Sequence, residues 1–256
     1  MKLRSLLVKV HRMVREAREL KAHLRVFAGV RRSLEKGRRP QSDVIVSLTS
    51  FPARIENAWL ATESIFQQTV VPRVIVLVLA EEEFPGRKLP KHIVRQEGRG
   101  LTILWTDVNY RSYDKLLPVL RRYPGSTVIT IDDDLIMPAT LVADLLSASR
   151  EYPGWIIGYR GWEIISRNSE LAFGRHWQRA TPESPPDNLF IPGNSGVLYP
   201  PGSLHPTVHD IDTAMKLAPS SDDIWFWACS VVNGTPRKCL GGLRTSPLGG
   251  RKEPLL

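Results

Sequence analysis

Val128-Ile129-Thr130-Ile131-Asp132-Asp133-Asp134-Leu135-Ile136-Met137-Pro138 is the stretch on which the fold turns. Four β-branched residues run into three carboxylates, and a proline then opens what reads as a helix. A segment so continuously apolar and β-branched reads as a central strand of a sheet covered on both faces. Three adjacent acids at its end are costly, because like charges repel and a partly buried carboxylate needs a partner. A bound divalent cation relieves both costs. In an extended segment Asp132 and Asp134 point to the same side, so one hard cation can be held by both. Mg²⁺ or Mn²⁺ suits such a pair, since each takes oxygen ligands and leaves positions for substrate phosphates. The plainer alternative has Asp133 and Asp134 capping the next helix, with Asp132 solvated. Position favours the cation, because ligands of open α/β sheets bind just beyond the carboxyl ends of the strands.

Working back from this stretch, Asp43–Leu48 reads as a first strand that ends in Thr49-Ser50-Phe51-Pro52-Ala53-Arg54. Residues 55–68 have helical periodicity through Ile55, Ala58, Trp59, Thr62, Ile65 and Phe66, and Val71-Pro72 stops them. Val74–Leu79 is a second buried strand, which makes a strand–helix–strand unit with parallel pairing. Residues 81–100 read as a loop with a short helix around His92–Gln96, and Leu101–Trp105 as a third strand. Tyr113–Arg122 reads as a helix ended by Pro124-Gly125. The pattern predicts a doubly wound parallel sheet over residues 43–150.

Past Pro153 the texture changes. Trp155–Tyr159 reads as a strand, but the next sixty or so residues are rich in Pro, Gly, Asn and Trp, a composition that supplies loops around a binding site. Phe190–Gly202 reads as a tight turn feeding a strand, with Asn194 and Ser195 as turn residues or acceptor contacts. Ser220-Ser221-Asp222-Asp223 precedes a Trp-rich helix, 224–232, which the two acids would at least cap. Trp225, Phe226 and Trp227 cannot share one helix face, so some are core, and at least one is a candidate to line an acceptor pocket, with core packing the plain alternative for each. His205 and His209 stand at helical spacing, but Pro206 between them argues against a metal pair.

The net charge of +9 is uneven. Residues 1–39 hold thirteen Lys/Arg against Glu16, Glu19 and Glu35, and the remainder is near neutral with 22 bases and 23 acids. Leu3, Leu6, Leu7, Val10, Val14, Ala17, Leu20, Leu24 and Phe27 follow three-and-four spacing, so this arm predicts a basic amphipathic helix. Such a helix suits an anionic membrane surface or a protein partner better than a nucleic acid, and no nucleic-acid partner is expected. Packing on the domain is the plain alternative. Two cysteines without a CxxC pair argue for a reducing compartment. The longest apolar run, Val74–Ala80, is far too short to span a bilayer, and Lys9, His11 and Arg12 break any signal-peptide core. A cytoplasmic protein, peripheral on the inner face of the membrane, is expected. One arm (1–39) and one domain (40–256) are expected, the domain divided into a 43–150 half and a 151–256 half.

Strand 43–48, Glu63-Ser64-Ile65-Phe66-Gln67-Gln68-Thr69, strand 74–79 and Asp132-Asp133-Asp134 together resemble the first half of GT-A glycosyltransferases, in particular the inverting family-2-like enzymes that use nucleotide sugars. Ser221-Asp222-Asp223 matches the acidic motif that supplies the general base in that fold. The resemblance covers roughly residues 43–233. It implies a Rossmann-like mixed sheet with a DxD metal site in which Asp132 and Asp134 are the pair, with Asp133 beside the nucleotide. Thr49, Ser50 and Arg54 would hold the base and ribose, Lys115 would face the donor, and Asp223 would deprotonate the acceptor hydroxyl with Asp222 beside it. The processive arginine-and-tryptophan motif is absent, which implies addition of a single sugar to a glycan or lipid-linked acceptor. No His follows Asp223, so the family's C-terminal metal-binding His is missing, and Arg244, Arg251 or Lys252 would serve the phosphates. Two rivals are a sugar-phosphate nucleotidyltransferase, although Thr49–Arg54 has no glycine for its loop, and a non-enzymatic membrane- or partner-docking protein.

Overall fold

The computed structural model describes Met13, Ala17, Leu20, Lys21 and residues 23–30, 40–167, 170, 171, 177–242 and 245–248. Most of the basic arm, and Arg244, Arg251 and Lys252, lie outside these. Residues 23–30 form a helix, α1. β1 (Ile45–Thr49), α2 (Pro52–Phe66) and β2 (Val74–Ala80) follow, then α3 (Lys91–Glu97) and β3 (Leu101–Thr106). A 3₁₀ turn, Arg111–Lys115, leads into α4 (Leu117–Arg122) and β4 (Val128–Thr130). Then come β5 (Leu135–Ile136), α5 (Leu141–Glu151) and β6 (Ile156–Gly158). Five short strands follow: β7 (Trp162–Glu163), β8 (Ser166–Arg167), β9 (Glu170–Leu171), β10 (Gln178–Arg179) and β11 (Leu189–Phe190). The chain continues through β12 (Val197–Tyr199), α6 (Ile211–Leu217), α7 (Asp222–Val232), β13 (Arg237–Cys239) and β14 (Ser246–Pro247).

Seven strands make the central sheet in the order β3-β2-β1-β4-β12-β6-β13. The continuous apolar strands lie inside it, as burial on both faces requires. Leu48, Ile129 and Ile131 face one core, and Ile45, Val76 and Val128 face the other. β12 alone runs antiparallel, pairing Val197 with Thr130 of β4 and with Gly158 of β6. Its first residue therefore lies beside the carboxyl ends of β4 and β6. The turn before β12 thus reaches the same edge as the acid run after β4.

Several sequence readings shift in detail. The strand ends at Thr130, one residue early, although the Ile131 N–H still bonds Ser47 O at 2.9 Å. Pro138 opens a turn, and α5 starts only at Leu141. The Gln68 amide explains why: Nε2 donates to Pro138 O and Oε1 accepts from Val142 N–H, which ties this turn to the end of α2. The expected helix 113–122 is broken at Leu116 (φ −123°) into the 3₁₀ turn and α4. Pro118 has no N–H to carry a continuous helical ladder across that point. β13 was not foreseen. Its Arg237 is buried as a lattice of donors to Ser230 Oγ and the Thr235 and Asp187 carbonyls, so a charged residue hides an edge strand.

Within the arm, α1 packs on α2. Val26 is buried, its carbonyl accepts from Gln67 Nε2 at 2.9 Å, and the Phe27 ring meets Trp59 edge-on at 5.3 Å. Met13, Leu20 and Leu24 are 60–68% exposed. Among the described residues no helix is long and apolar enough to cross a membrane.

Candidate active site

Two acid motifs some ninety residues apart in the chain meet on one lysine. Lys115, at the end of the 3₁₀ turn, is 5% exposed. Its Nζ lies 3.3 Å from Asp132 Oδ1, 3.0 Å from Asp222 Oδ2 and 3.7 Å from Asp223 Oδ1. Burial alone would lower the pKa of this ammonium. Asp222, Asp132 and Asp223 outweigh burial and hold its pKa well above the ordinary lysine value.

The local sequence explains how these groups meet. Arg111 opens the turn in the left-handed region (φ 58°), where its N–H is held by Asn109 Oδ1 at 2.7 Å. Tyr113 then fastens the turn to the segment ahead of α7: its hydroxyl donates to Ala218 O at 2.7 Å, and its ring meets Phe226 edge-on. Burial pushes the Tyr113 phenol up to about 12, so it stays a donor. Asp222 and Asp223 occupy the first turn of α7, where the helix dipole favours anions. The two motifs are therefore joined by packing as well as by charge.

The acid run after β4 splits three ways. Asp132 faces Lys115. Asp133 turns inward, 5% exposed, and accepts from Ser50 Oγ at 2.6 Å and from Arg54 at 3.1 Å. Asp134 lies at the rim, 3.2 Å from the same Arg54 nitrogen. Burial works against the Arg54 charge, but Asp133 and Asp134 prevail and raise its pKa. Burial raises the Asp134 carboxyl. Arg54 pulls it down, and the Asp132 charge pushes it up again. Thr49, also expected here, donates its hydroxyl to Val78 O at 2.9 Å, so its side chain clasps β1 to β2.

The turn Gly193–Ser195 closes the cluster from the β12 side. The Gly193 backbone packs directly against the Asp223 carboxylate. A Cβ at Gly193 would stand 2.7 Å from both Asp223 Oδ1 and Lys115 Nζ, closer than any contact allows. The sequence reading assigned this glycine to turn geometry alone; its direct approach to the acids is visible only in three dimensions. Asp223 is pushed up to about 6, by burial first, with Lys115 and the Gly193 N–H opposing and Asp222 and Asp132 reinforcing. A carboxyl near 6 can take a proton and lose it at neutral pH.

A separate cavity of about 510 Å³ lies along β3 and α4, walled by Trp105, Tyr110, Asp114, Leu117, Arg121 and Ile211 among others. None of the acids above lines it. Trp225 and Phe226 are core, whereas Trp227 stands one helical turn beyond Asp223. His205 serves as the cap of the turn Pro206–His209, its ring accepting from Thr207 N–H.

Arg54 and Lys115 already neutralise part of the acid run, so a divalent ion would meet two half-exposed carboxylates, Asp132 and Asp134. Among the described residues no group of three or more His, Cys, Asp or Glu is arranged to hold an ion. Two carboxylates would leave most positions of a hard cation to water or to oxygen atoms of a substrate.

No protein-family model matches the sequence, and no curated protein matches it. Solved structures do. S. aureus TarS 1-349 superposes with a TM-score of 0.53 at 12% identity, over 78% of this chain and 58% of that one. The chain thus spans little more than half of that TarS fragment, which has also been solved in complex with UDP. The 4-diphosphocytidyl-2C-methyl-D-erythritol synthase of Anaerococcus prevotii gives 0.54 at 12% identity, over 83% of this chain and 94% of its own. The mannosyltransferase PcManGT of Pyrobaculum calidifontis, in complex with GDP-Man and Mn²⁺, gives 0.50 at 15%, over 94% and 68%. The sheet order and these likenesses together give the chain a GT-A-type fold, a Rossmann-like mixed α/β architecture with a seven-stranded, mostly parallel sheet.

Proposed function

We propose that this protein is an inverting glycosyltransferase that moves one sugar from a nucleotide-diphosphate sugar to a glycan or lipid-linked acceptor. The observation that carries the reading is the meeting of Asp132 with Asp222 and Asp223 on buried Lys115. It sets a donor-side acid beside a candidate base at the carboxyl edge of the sheet, where ligands of such sheets bind. Mn²⁺ or Mg²⁺ held by Asp132 and Asp134 would offset the charge that builds on the departing diphosphate.

The chain's own residues supply the rest. Asp223 takes the proton of the attacking acceptor hydroxyl on a carboxylate oxygen. Lys115 and the Gly193 backbone packed against it hold that carboxylate in place, and Asp222 shares the lysine. Arg54 and Ser50 fix Asp133 and so set the direction in which Asp132 and Asp134 leave the strand. A single base with no adjacent nucleophile suits one displacement with inversion. The exposed Met13, Leu20 and Leu24 of the basic arm support docking on an anionic membrane surface as part of the same reading.

The deciding test is hydrolysis of a panel of nucleotide sugars, paired with thermal shifts. UDP or GDP should raise the melting temperature only with Mn²⁺ or Mg²⁺ present; a ligand at a hundred times its Kd adds about 2.7 kcal/mol. Asp134→Ala should remove that metal-dependent increment. Stabilisation unchanged in Asp134→Ala would end the metal assignment, and no response to any nucleotide would end the enzyme reading.

The pH profile gives a second check. The base works only when ionised, so kcat/KM should rise about tenfold per pH unit up to about pH 6 and level off above it. A flat profile between pH 5 and 7 would remove Asp223 from the proton transfer. A nucleotidyltransferase remains the second reading, favoured by the likeness to the erythritol synthase. Release of pyrophosphate from a nucleoside triphosphate would distinguish it.

A further inference from the structure

Beyond the acids, a row of aromatic rings stands at the same edge of the sheet. β7, β10 and β11 form a small antiparallel sheet in which Trp162 is opposite both Arg179 and Phe190. Directly opposed residues put their side chains on one face. Trp162, 41% exposed, therefore lies on the Phe190 face. The Trp177 ring joins that face, with its centroid 5.4 Å from Phe190. Phe190 in turn meets Trp227 edge-on at 6.4 Å.

This row is tied to the candidate base by two elements. Trp227 is four residues after Asp223 on α7, so the two share a helix face. Phe190 is three residues before Gly193, whose backbone packs against Asp223. The Trp227 indole N–H is buried and has no hydrogen-bond partner among the described residues. A buried donor left unpaired is costly, so it marks a place where an acceptor oxygen belongs.

Resting on the transferase reading above, we propose that Trp162 and Trp227, joined through the buried Phe190 ring, form the subsite that seats a pyranose ring of the acceptor. The chemistry matches on both counts. A pyranose carries an apolar face of C–H groups that packs on an aromatic ring, and its hydroxyl oxygens accept from an indole N–H. A molecule whose hydroxyl reaches Asp223 must lay the rest of itself on neighbouring surface, and this aromatic face is continuous with the Asp223 side of α7.

The test uses the full chain and methyl β-D-glycosides of glucose, galactose, mannose and N-acetylglucosamine, titrated by ligand-observed NMR. Saturable binding of at least one glycoside is expected. Trp162→Ala should weaken it by about tenfold or more, as loss of an exposed aromatic anchor does. Trp162→Tyr should restore most of it, and Trp227→Phe, which keeps a ring and loses the N–H, should weaken it while the melting temperature of each variant stays near that of the parent. Donor hydrolysis by the unaltered chain, measured alongside, separates the two ideas. If hydrolysis occurs but no glycoside binds, or Trp162→Ala binds as the parent does, the subsite is wrong and the transferase stands. If sugars bind with the expected pattern but no nucleotide sugar is turned over, the subsite stands and the reaction is wrong.

Discussion

Asp223→Asn should lower kcat by about 10²–10⁴-fold, the usual contribution of a positioned general base, while the donor KM stays within a few-fold of the parent. The asymmetry follows from where Asp223 sits. It faces Lys115 and the Gly193 N–H, and the donor-side residues Asp132, Asp133, Asp134 and Arg54 keep their own contacts without it. Asparagine retains the shape and one acceptor oxygen but cannot take the proton. The loss should therefore fall on the chemical step, as expected for an interaction used mainly in the transition state. Steady-state kinetics with the best donor from the hydrolysis panel measures both constants. Normal turnover would show that another group receives the proton; a donor KM raised in proportion to the fall in kcat would place Asp223 in donor binding instead.

Lys115→Met should be the most destabilising single substitution at the site. Methionine nearly fills the lysine volume, so the change isolates the charge. It leaves Asp132, Asp222 and Asp223 with no ammonium among them, and breaking a buried ion pair by removing one partner costs about 3–5 kcal/mol. The sign with pH is fixed. Lys115 is one of the groups that lower the Asp223 pKa, so without it Asp223 binds its proton well above about pH 6. Between its unfolded value and that raised value, the folded variant holds more protons than the unfolded chain, and stability falls as pH rises. The deficit relative to the parent should thus be large at pH 8 and shrink towards pH 5. Denaturant unfolding at both pH values measures it, and a deficit below about 1 kcal/mol at pH 8 would mean that the acids do not depend on the lysine.

Much of the scaffold is legible in the residues. β1, β2, β3 and β4 are continuous apolar segments of the right length, and Pro72 and Pro124-Gly125 punctuate them, so the parallel half follows from burial and breakers alone. The second half reads less well. β7, β10, β11 and β14 are two residues long, too short to carry a period, and Arg237 conceals β13 with a charge. At the site, the residue types announce themselves: three acids after a buried strand, two more at a helix start. Their distribution does not. Spacing puts Asp132 and Asp134 on one side, but not what each acid meets: Lys115 for Asp132, Ser50 and Arg54 for Asp133, and Arg54 again for Asp134. Lys115 reads in one dimension as a helix charge near the donor, and only packing by Tyr113 shows it locked beneath three acids. The turn around Gly193 and the tryptophans of α7 are legible locally, but the approach of Gly193 to Asp223 and the alignment of Trp162, Phe190 and Trp227 depend on partners tens of residues distant.

The lone reversed strand, β12, has an evolutionary reach. The chain leaves the central sheet after β6 and re-enters it at β12, and the short strands between them pair with one another and not with the central sheet. On the transferase reading proposed above, insertions or wholesale replacement there would change the acceptor side and leave residues 43–150 unaltered.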